Sequence, residues 1–185
     1  MPPQPDPAEQ TKTPGAGMPA IAVVVSKYNA TVTSKLLEGA KAEYTRRGGS
    51  EWRLGIFEVP GTFELPAMAG VVSRLKGWGG VVCLGCVIKG ETSHDEVISN
   101  AVATALANLT TRTGVPVGFG VITANNAEQA MARAGGDKGN KGAEAMAAVL
   151  GTMRAMADIR QGAEARNPGV RSTLEHQPED KAGGA

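Results

Sequence analysis

Apolar residues recur along the middle of this chain with a spacing that alternates between that of a strand and that of a helix. Residues 21–25 form a continuous apolar run, as in a strand that is buried on both faces. The apolar residues that follow lie on one face of a predicted helix and are Val32, Leu36, Leu37, Ala40 and Tyr44. Gly48 and Gly49 then end this helix. The pattern predicts a strand followed by a helix.

The same alternation continues to about residue 160. It predicts further strands over 52–59, 81–88 and 115–122, and helices over about 65–75 and 97–109 that follow the first two of them. A short helix over 127–134, a glycine-rich connection and a last helix complete the pattern. Apolar strands that alternate with helices form parallel sheets covered on both faces. We therefore predict an α/β fold, a three-layer αβα sandwich with a four-stranded parallel sheet and flavodoxin-like winding.

The two ends of the chain differ from this domain in composition. Residues 1–17 are rich in Pro, Gln, Asp, Thr and Gly, and residues 161–185 are polar with mixed charge. Neither segment can bury enough apolar surface to offset the entropy lost on ordering. We predict disordered tails over 1–17 and 161–185 that flank one folded domain over 18–160, which leaves His176 outside the chemistry.

Charge and hydropathy exclude two classes of partner. Lys and Arg (19) nearly balance Asp and Glu (18), so no overall positive field would attract nucleic acid or an anionic membrane. No apolar run approaches the roughly 20 residues that a membrane helix needs, and no basic segment leads into an apolar one at the N-terminus. We expect a cytoplasmic protein that binds neither nucleic acid nor membrane.

Cys83 and Cys86 form a C-x-x-C pair, a spacing found in redox sites and in zinc sites. The pair lies inside a predicted strand, where residues three apart point to opposite faces, so the thiols could not readily form a disulfide. With two His residues in the chain and no second Cys pair, a zinc site would lack ligands. We predict two buried free cysteines and no metal site.

Ligands of open parallel sheets bind beyond the carboxyl ends of the strands. The segments after the four predicted strands are polar or aromatic and span residues 26–29, 62–64, 89–94 and 123–126. Tyr28, Phe63 and Phe119 lie near this edge, where an aromatic ring can stack on a flat heterocycle. Packing in the core is the competing explanation, and it is strongest for Phe119, which lies inside the fourth strand.

Residues 89–94 carry the most information among these segments. Gly90 stands where a helix begins, so the amides of Gly90, Glu91 and Thr92 could bind a phosphate with the helix dipole behind them. His94 lies in the first turn of that helix, where an imidazole could shuttle protons. Taken alone, the segment fits a helix cap beside a surface histidine better than it fits a site.

A second basic and glycine-rich cluster spans residues 133–142. Its glycines would let the backbone approach a ligand closely, and Arg133 could hold a phosphate in a bidentate pair. A plain turn between two helices explains the same residues, and it is the better explanation when this loop is considered in isolation.

Taken together and in order, these segments resemble the successive signature blocks of the 6,7-dimethyl-8-ribityllumazine synthase family. The blocks are Ser-Lys-Tyr-Asn at 26–29, Val-Pro-Gly-Thr-Phe-Glu-Leu-Pro at 59–66, Gly-Cys-Val-Ile-Lys-Gly-Glu-Thr-Ser-His at 85–94, Arg-Ala-Gly at 133–135 and Gly-Asn-Lys-Gly at 139–142. The resemblance covers about residues 19–160 with no insertion. With the last two segments counted as one block, four ordered blocks are far more specific than any one of them.

The resemblance implies a concrete site. It assigns the pyrimidine substrate and its ribityl chain to Tyr28, Asn29, Thr62, Phe63, Glu64, Cys86, Val87, Ile88, Phe119 and Lys141. It assigns the phosphate of the second substrate to Gly90, Glu91, Thr92 and Arg133, and it makes His94 the catalytic proton shuttle. Phe119, Arg133 and Lys141 are expected to reach the site from a neighbouring subunit, so the active unit would be a homopentamer.

The implied activity is the condensation of 5-amino-6-(D-ribitylamino)uracil with 3,4-dihydroxy-2-butanone 4-phosphate, without a metal or a redox cofactor. The resemblance also admits a shell of twelve pentamers and association with riboflavin synthase. Three positions depart from the family pattern. Tyr28 stands where Phe or Trp is more usual, Asp95 where an aromatic residue is often found, and Asp137 where Lys is frequent.

Two other classes of protein compete with this interpretation. In a flavodoxin-like FMN-binding protein, the hydroxyl-rich turn over residues 26–33 would cradle the phosphate, but the blocks at 85–94 and 133–142 would have no role. A purely structural shell protein would keep the oligomer and lack turnover. A response-regulator receiver is disfavoured, because the first strand does not end in the acidic pair that such a domain needs for its metal.

Overall fold

The computed structural model describes residues 18–166. The predicted N-terminal tail over 1–17 lies outside the described residues, and so does 167–185, most of the predicted C-terminal tail. The last helix continues past residue 160 to Arg166, so ordered structure extends beyond the predicted end of the domain.

Four parallel strands form the main sheet, in the order β2-β1-β3-β4. Their bounds are β1 Ile21–Ser26, β2 Leu54–Val59, β3 Gly80–Ile88 and β4 Val117–Ala124. The two central strands are almost completely buried, which explains why their sequences are continuous apolar runs rather than alternating ones. The predicted four-stranded parallel sheet is confirmed.

Helices cover both faces of this sheet. Their bounds are α1 Ala30–Arg46, α2 Leu65–Val72, α3 His94–Thr113, α4 Ala127–Ala132 and α5 Lys141–Arg166. The buried residues divide into two clusters, one between the sheet and α1 with α5, the other between the sheet and α2 with α3. The three-layer αβα sandwich is therefore confirmed. No helix within residues 18–166 is both long enough and apolar enough to cross a membrane.

Several element boundaries differ from the prediction. Residues 51–53 form a single 3-10 turn, and the second strand begins at Leu54 rather than at Trp52, whose side chain is exposed. The fourth strand begins at Val117, after Pro116, and not at residue 115. The predicted glycine-rich connection contains a short antiparallel pair, β5 Ala134–Gly136 and β6 Gly139–Asn140. Gly135 and Gly139 permit this hairpin because both adopt positive φ angles.

The two cysteines lie on opposite faces of β3, as predicted. Cys83 packs in the cluster under α2 and α3, whereas Cys86 packs in the cluster under α1 and α5. Both are free and buried. Burial raises the pKa of the Cys83 thiol to about 12 and that of the Cys86 thiol to about 11. Both thiols therefore stay protonated at neutral pH, and the prediction of two buried free cysteines is confirmed.

Asn140 joins the start of α5 to α1. Its Nδ2 donates to the carbonyl of Lys35 at 2.9 Å, and its Oδ1 accepts from the amides of Gly142 and Ala143 at 2.9 and 3.1 Å. The two helices are in close contact at Gly142, because a Cβ added there would overlap the backbone carbonyl of Leu36. The contact between α1 and α5 thus requires glycine at this position.

We expect Gly142→Ala to lower the free energy of unfolding by about 2 kcal/mol, because the added methyl group must push α5 away from α1. Gly151→Ala is the matched control, since Gly151 is exposed on the same helix and nothing lies near its added Cβ. This control should stabilise the protein by about 0.5 kcal/mol through helix propensity. Thermal unfolding of the two variants followed by circular dichroism tests the difference, and equal midpoints would contradict the close contact.

Candidate active site

A cavity of about 450 Å³ opens at the carboxyl edge of the sheet. Its walls come from the turn after β1, the turn after β2, the end of β3 and the first turns of α3. This is the place where the strand order reverses between β1 and β3, so the connections that leave these strands diverge and leave space between them.

Ten of the residues assigned to the site by the resemblance line this one cavity, and they are Tyr28, Thr62, Phe63, Glu64, Cys86, Val87, Ile88, Gly90, Thr92 and His94. Five others do not line it in the single chain, namely Asn29, Glu91, Phe119, Arg133 and Lys141. Gly61, Asp95 and Ile98 complete the wall and were not predicted. Gly61 lies inside a signature block, and Ile98 lies one helical turn after His94, so helical spacing could have identified it.

Two aromatic rings stand at the cavity with most of their surface exposed. Tyr28 is 71% exposed and Phe63 is 60% exposed, so neither ring is packed in the core. The turn that carries Tyr28 is fixed by hydrogen bonds from the amides of Lys27 and Tyr28 to the carbonyls of Val59 and Pro60, at 2.8 and 3.1 Å. Exposed rings on fixed turns are suited to stack on a flat ligand.

Asn29 holds the turn after β1 in place. It adopts the left-handed conformation, with φ of 59°, and its Nδ2 donates to the carbonyl of Cys86 at 3.0 Å. The side chain thereby links the start of α1 to the end of β3. Asn29 is thus fixed next to Tyr28, and it does not itself line the cavity in the single chain.

The turn after β2 brings Thr62 onto β3. Residues 62–64 form a single 3-10 turn that leads directly into α2, with Pro66 in the first turn of that helix. Gly85 on β3 permits this contact, because a Cβ added there would lie 2.9 Å from Oγ1 of Thr62. Thr62 is buried at the cavity wall.

The first turn of α3 has no side-chain cap. Ser93 is the N-cap residue, and its side chain makes no capping hydrogen bond. Gly90, Thr92 and His94 line the cavity, and all three residues are exposed. Uncapped amides at a helix N-terminus favour an anion. The simple helix cap considered from the sequence is therefore not what the structure shows.

The cavity contains no basic side chain other than His94. Glu64 and Asp95 contribute carboxyl groups, and none of the residues that line the cavity is Lys or Arg. A phosphate bound at the start of α3 would therefore find backbone amides but no guanidinium or ammonium group from this wall.

The three residues expected to act on a neighbouring site lie elsewhere on the chain. Arg133 follows α4, and its Nη1 donates to the carbonyl of Gln129 at 3.0 Å. Lys141 begins α5 and forms an ion pair with Glu144 at 2.5 Å. Phe119 lies on the edge strand β4 and is 45% exposed. Ala134, next to Arg133, packs in the cluster under α1 and α5.

Comparison with known proteins identifies the family. The family model described as 6,7-dimethyl-8-ribityllumazine synthase matches residues 19–157. The chain is 44% identical over 145 residues to 6,7-dimethyl-8-ribityllumazine synthase 1 of Caulobacter vibrioides, covering 78% of this chain and 95% of that protein. It is 41% identical over 141 residues to 6,7-dimethyl-8-ribityllumazine synthase of Campylobacter fetus, with 76% and 90% covered. The same protein of Deinococcus radiodurans is 39% identical over 140 residues, with 76% and 90% covered. The chain belongs to the 6,7-dimethyl-8-ribityllumazine synthase family.

Proposed function

We propose that this chain condenses 5-amino-6-(D-ribitylamino)uracil with 3,4-dihydroxy-2-butanone 4-phosphate to 6,7-dimethyl-8-ribityllumazine, with release of phosphate and water. This is the penultimate step of riboflavin biosynthesis. The observation that carries the proposal is the single cavity in which ten residues of separate signature blocks meet. Family membership supports the same reaction.

In this proposal the pyrimidine ring stacks on Tyr28, and its ribityl chain runs along the turn over residues 62–64. The exposure of the Tyr28 ring supports the first part. The strand β3 continues past Leu84, its last residue paired with β1. Beyond Leu84, the edge of β3 that faced β1 has no strand beside it. Backbone groups of Val87 and Ile88 on this edge are therefore suited to bind the polar edge of the heterocycle.

The phosphate of the second substrate would bind at the start of α3, through the amides of Gly90 and Glu91 and the amide and hydroxyl of Thr92. The lack of a Lys or Arg side chain in the wall supports a cation from another subunit. Arg133 would supply it, Lys141 would contact a pyrimidine carbonyl, and Phe119 would cover the ring. The active unit would then be a homopentamer, and twelve pentamers or a complex with riboflavin synthase remain further proposals.

The chemistry requires positioning and one acid-base group. An amine of the pyrimidine adds to the ketone and loses water as a Schiff base, and phosphate leaves by β-elimination. The second amine then attacks the carbonyl group that this elimination produces and closes the ring with loss of a second water. His94 lies at the cavity with an exposed imidazole, where it can carry protons between these steps. Holding two substrates side by side contributes more than the proton transfers, so His94 assists a reaction that the cavity mainly organises.

We expect the purified chain to form one lumazine and one phosphate from each pair of substrates. Lumazine absorbance and released phosphate, measured in the same reaction, test this stoichiometry. Reactions that lack one substrate are the controls. A structural shell protein would give no product, and an FMN-binding protein would be purified with bound yellow flavin and also give none.

We expect Arg133→Ala to lower kcat/KM for the sugar phosphate by about 10³-fold, since a phosphate would lose its charged partner. His94→Ala should lower kcat by roughly 10²-fold, because only a proton shuttle is lost. Steady-state kinetics in both substrates separates these effects. Arg160→Ala, a change of an exposed arginine on α5, is the charge control. Full activity of the Arg133 variant at saturating sugar phosphate would refute the clamp.

We expect subunits of Arg133→Ala and His94→Ala to restore activity when they are expressed together. A mixed ring would contain sites that combine His94 of one subunit with Arg133 of the next, at about a quarter of all positions for equal random mixing. Activity of the mixed oligomer, compared with that of the two separate variants, measures this, and light scattering gives the oligomer size. Activity no higher than the average of the two variants would show that each subunit has a complete site.

A further inference from the structure

Two buried polar atoms at the wall of the cavity have no hydrogen-bond partner. Within residues 18–166, Oγ1 of Thr62 and Oδ1 of Asp95 are the buried side-chain oxygen or nitrogen atoms in this condition. Buried polar groups are nearly always paired, because an unpaired one has lost its water and gained nothing in exchange. Both atoms are closed off in the empty cavity and both residues line that cavity, so a bound ligand that shifts these two side chains is the natural source of the missing partners.

Asp95 is held at a defined position. It lies in the first turn of α3, directly after His94, and its backbone carbonyl accepts a hydrogen bond from the hydroxyl of Ser99 at 2.6 Å. The side chain stands between the cavity and a neighbouring polar groove that Glu96 and Ser99 also line. Oδ1 is the buried oxygen atom of this carboxyl group.

The chemistry of Asp95 limits what it can bind. An ionised carboxyl group accepts hydrogen bonds and donates none, so its ligand must offer an O–H or N–H group. Repulsion between like charges disfavours the phosphate of the sugar substrate. The other substrate of the proposed function is uncharged and carries a chain of hydroxyl groups. This polyol chain would run past Thr62, the residue with the second unpaired atom.

We propose that Asp95 is a specificity-determining residue that accepts a hydrogen bond from a hydroxyl of the polyol chain through Oδ1. The hydroxyl of Thr62 gives the chain a second contact on the facing turn. The assignment rests on the proposed function, because that function supplies the polyhydroxylated substrate. Asp95 thereby selects the natural pyrimidine over analogues that have the same heterocycle and an apolar side chain.

The test compares two pyrimidines with each protein, the natural ribitylamino compound and an alkylamino analogue that lacks the chain hydroxyls. We expect Asp95→Ala to raise KM for the natural compound about tenfold, as for the loss of a hydrogen bond to a charged group, and to leave KM for the sugar phosphate unchanged. The preference in kcat/KM for the natural compound over the analogue should fall by the same factor. If Asp95 had only a structural role, its loss would lower kcat/KM for the natural compound and for the analogue by the same factor, and the preference would not change.

Glu96→Ala is the matched control, because it removes the same charge from the same turn of α3 and Glu96 does not line the cavity. It should leave the preference at the wild-type value. Asp95→Asn keeps the size and one acceptor oxygen, so it should fold normally and show an intermediate preference. Thr62→Val should reduce the preference with the shape of the wall retained.

The outcomes separate the two levels of inference. If the wild-type protein forms no lumazine, the proposed function fails and the assignment of Asp95 fails with it. If the wild-type protein is active and both Asp95 variants keep the full preference for the hydroxylated substrate, only the assignment of Asp95 is overturned. A loss of preference in Glu96→Ala equal to that in Asp95→Ala would also overturn it, because the effect would then come from charge on α3 in general.

Discussion

The parallel pairing of β1 with β3 is the constraint on which the rest of this structure depends. β1 is paired with β2 on one side and β3 on the other, and β3 continues beyond the end of β1. The connection from β1 to β2 runs through α1 on one face of the sheet, and the connection from β2 to β3 runs through α2 on the other face. The two connections therefore separate at the carboxyl edge. The cavity is the space that this reversal leaves, and every segment that lines it is the end of β3 or follows one of the strands β1, β2 and β3.

Close backbone contacts keep the walls of the cavity in position. Gly85 admits the turn of Thr62 against β3, and Gly142 admits α5 against α1. Asn29 and Asn140 then connect segments distant in sequence, through hydrogen bonds to the carbonyls of Cys86 and Lys35. The site is consequently built on the rigid part of the fold, which suits a reaction that relies on positioning.

The wall of the cavity offers amides, carboxyl groups and an imidazole, but no Lys or Arg side chain to neutralise a phosphate. This imbalance is the physical reason for a shared site in our proposal. The turn after β1 also disfavours the flavodoxin-like FMN alternative. The amides of Lys27 and Tyr28 are bonded to the carbonyls of Val59 and Pro60, so they are not free to cradle a phosphate there.

Periodicity in the sequence determined the strands, the helices and the opposite burial of Cys83 and Cys86, because these features follow from the local repeat of each element. The order of the signature blocks likewise identified ten of the residues that meet in the cavity. Only the tertiary structure showed that Asn29 is hydrogen-bonded to β3 and that residues 134–140 form a hairpin. It alone also showed that Thr62 and Asp95 each have an unpaired buried oxygen atom at the same cavity. These features depend on which distant segments become neighbours and which polar groups remain unpaired after packing, and no local pattern in the sequence records either.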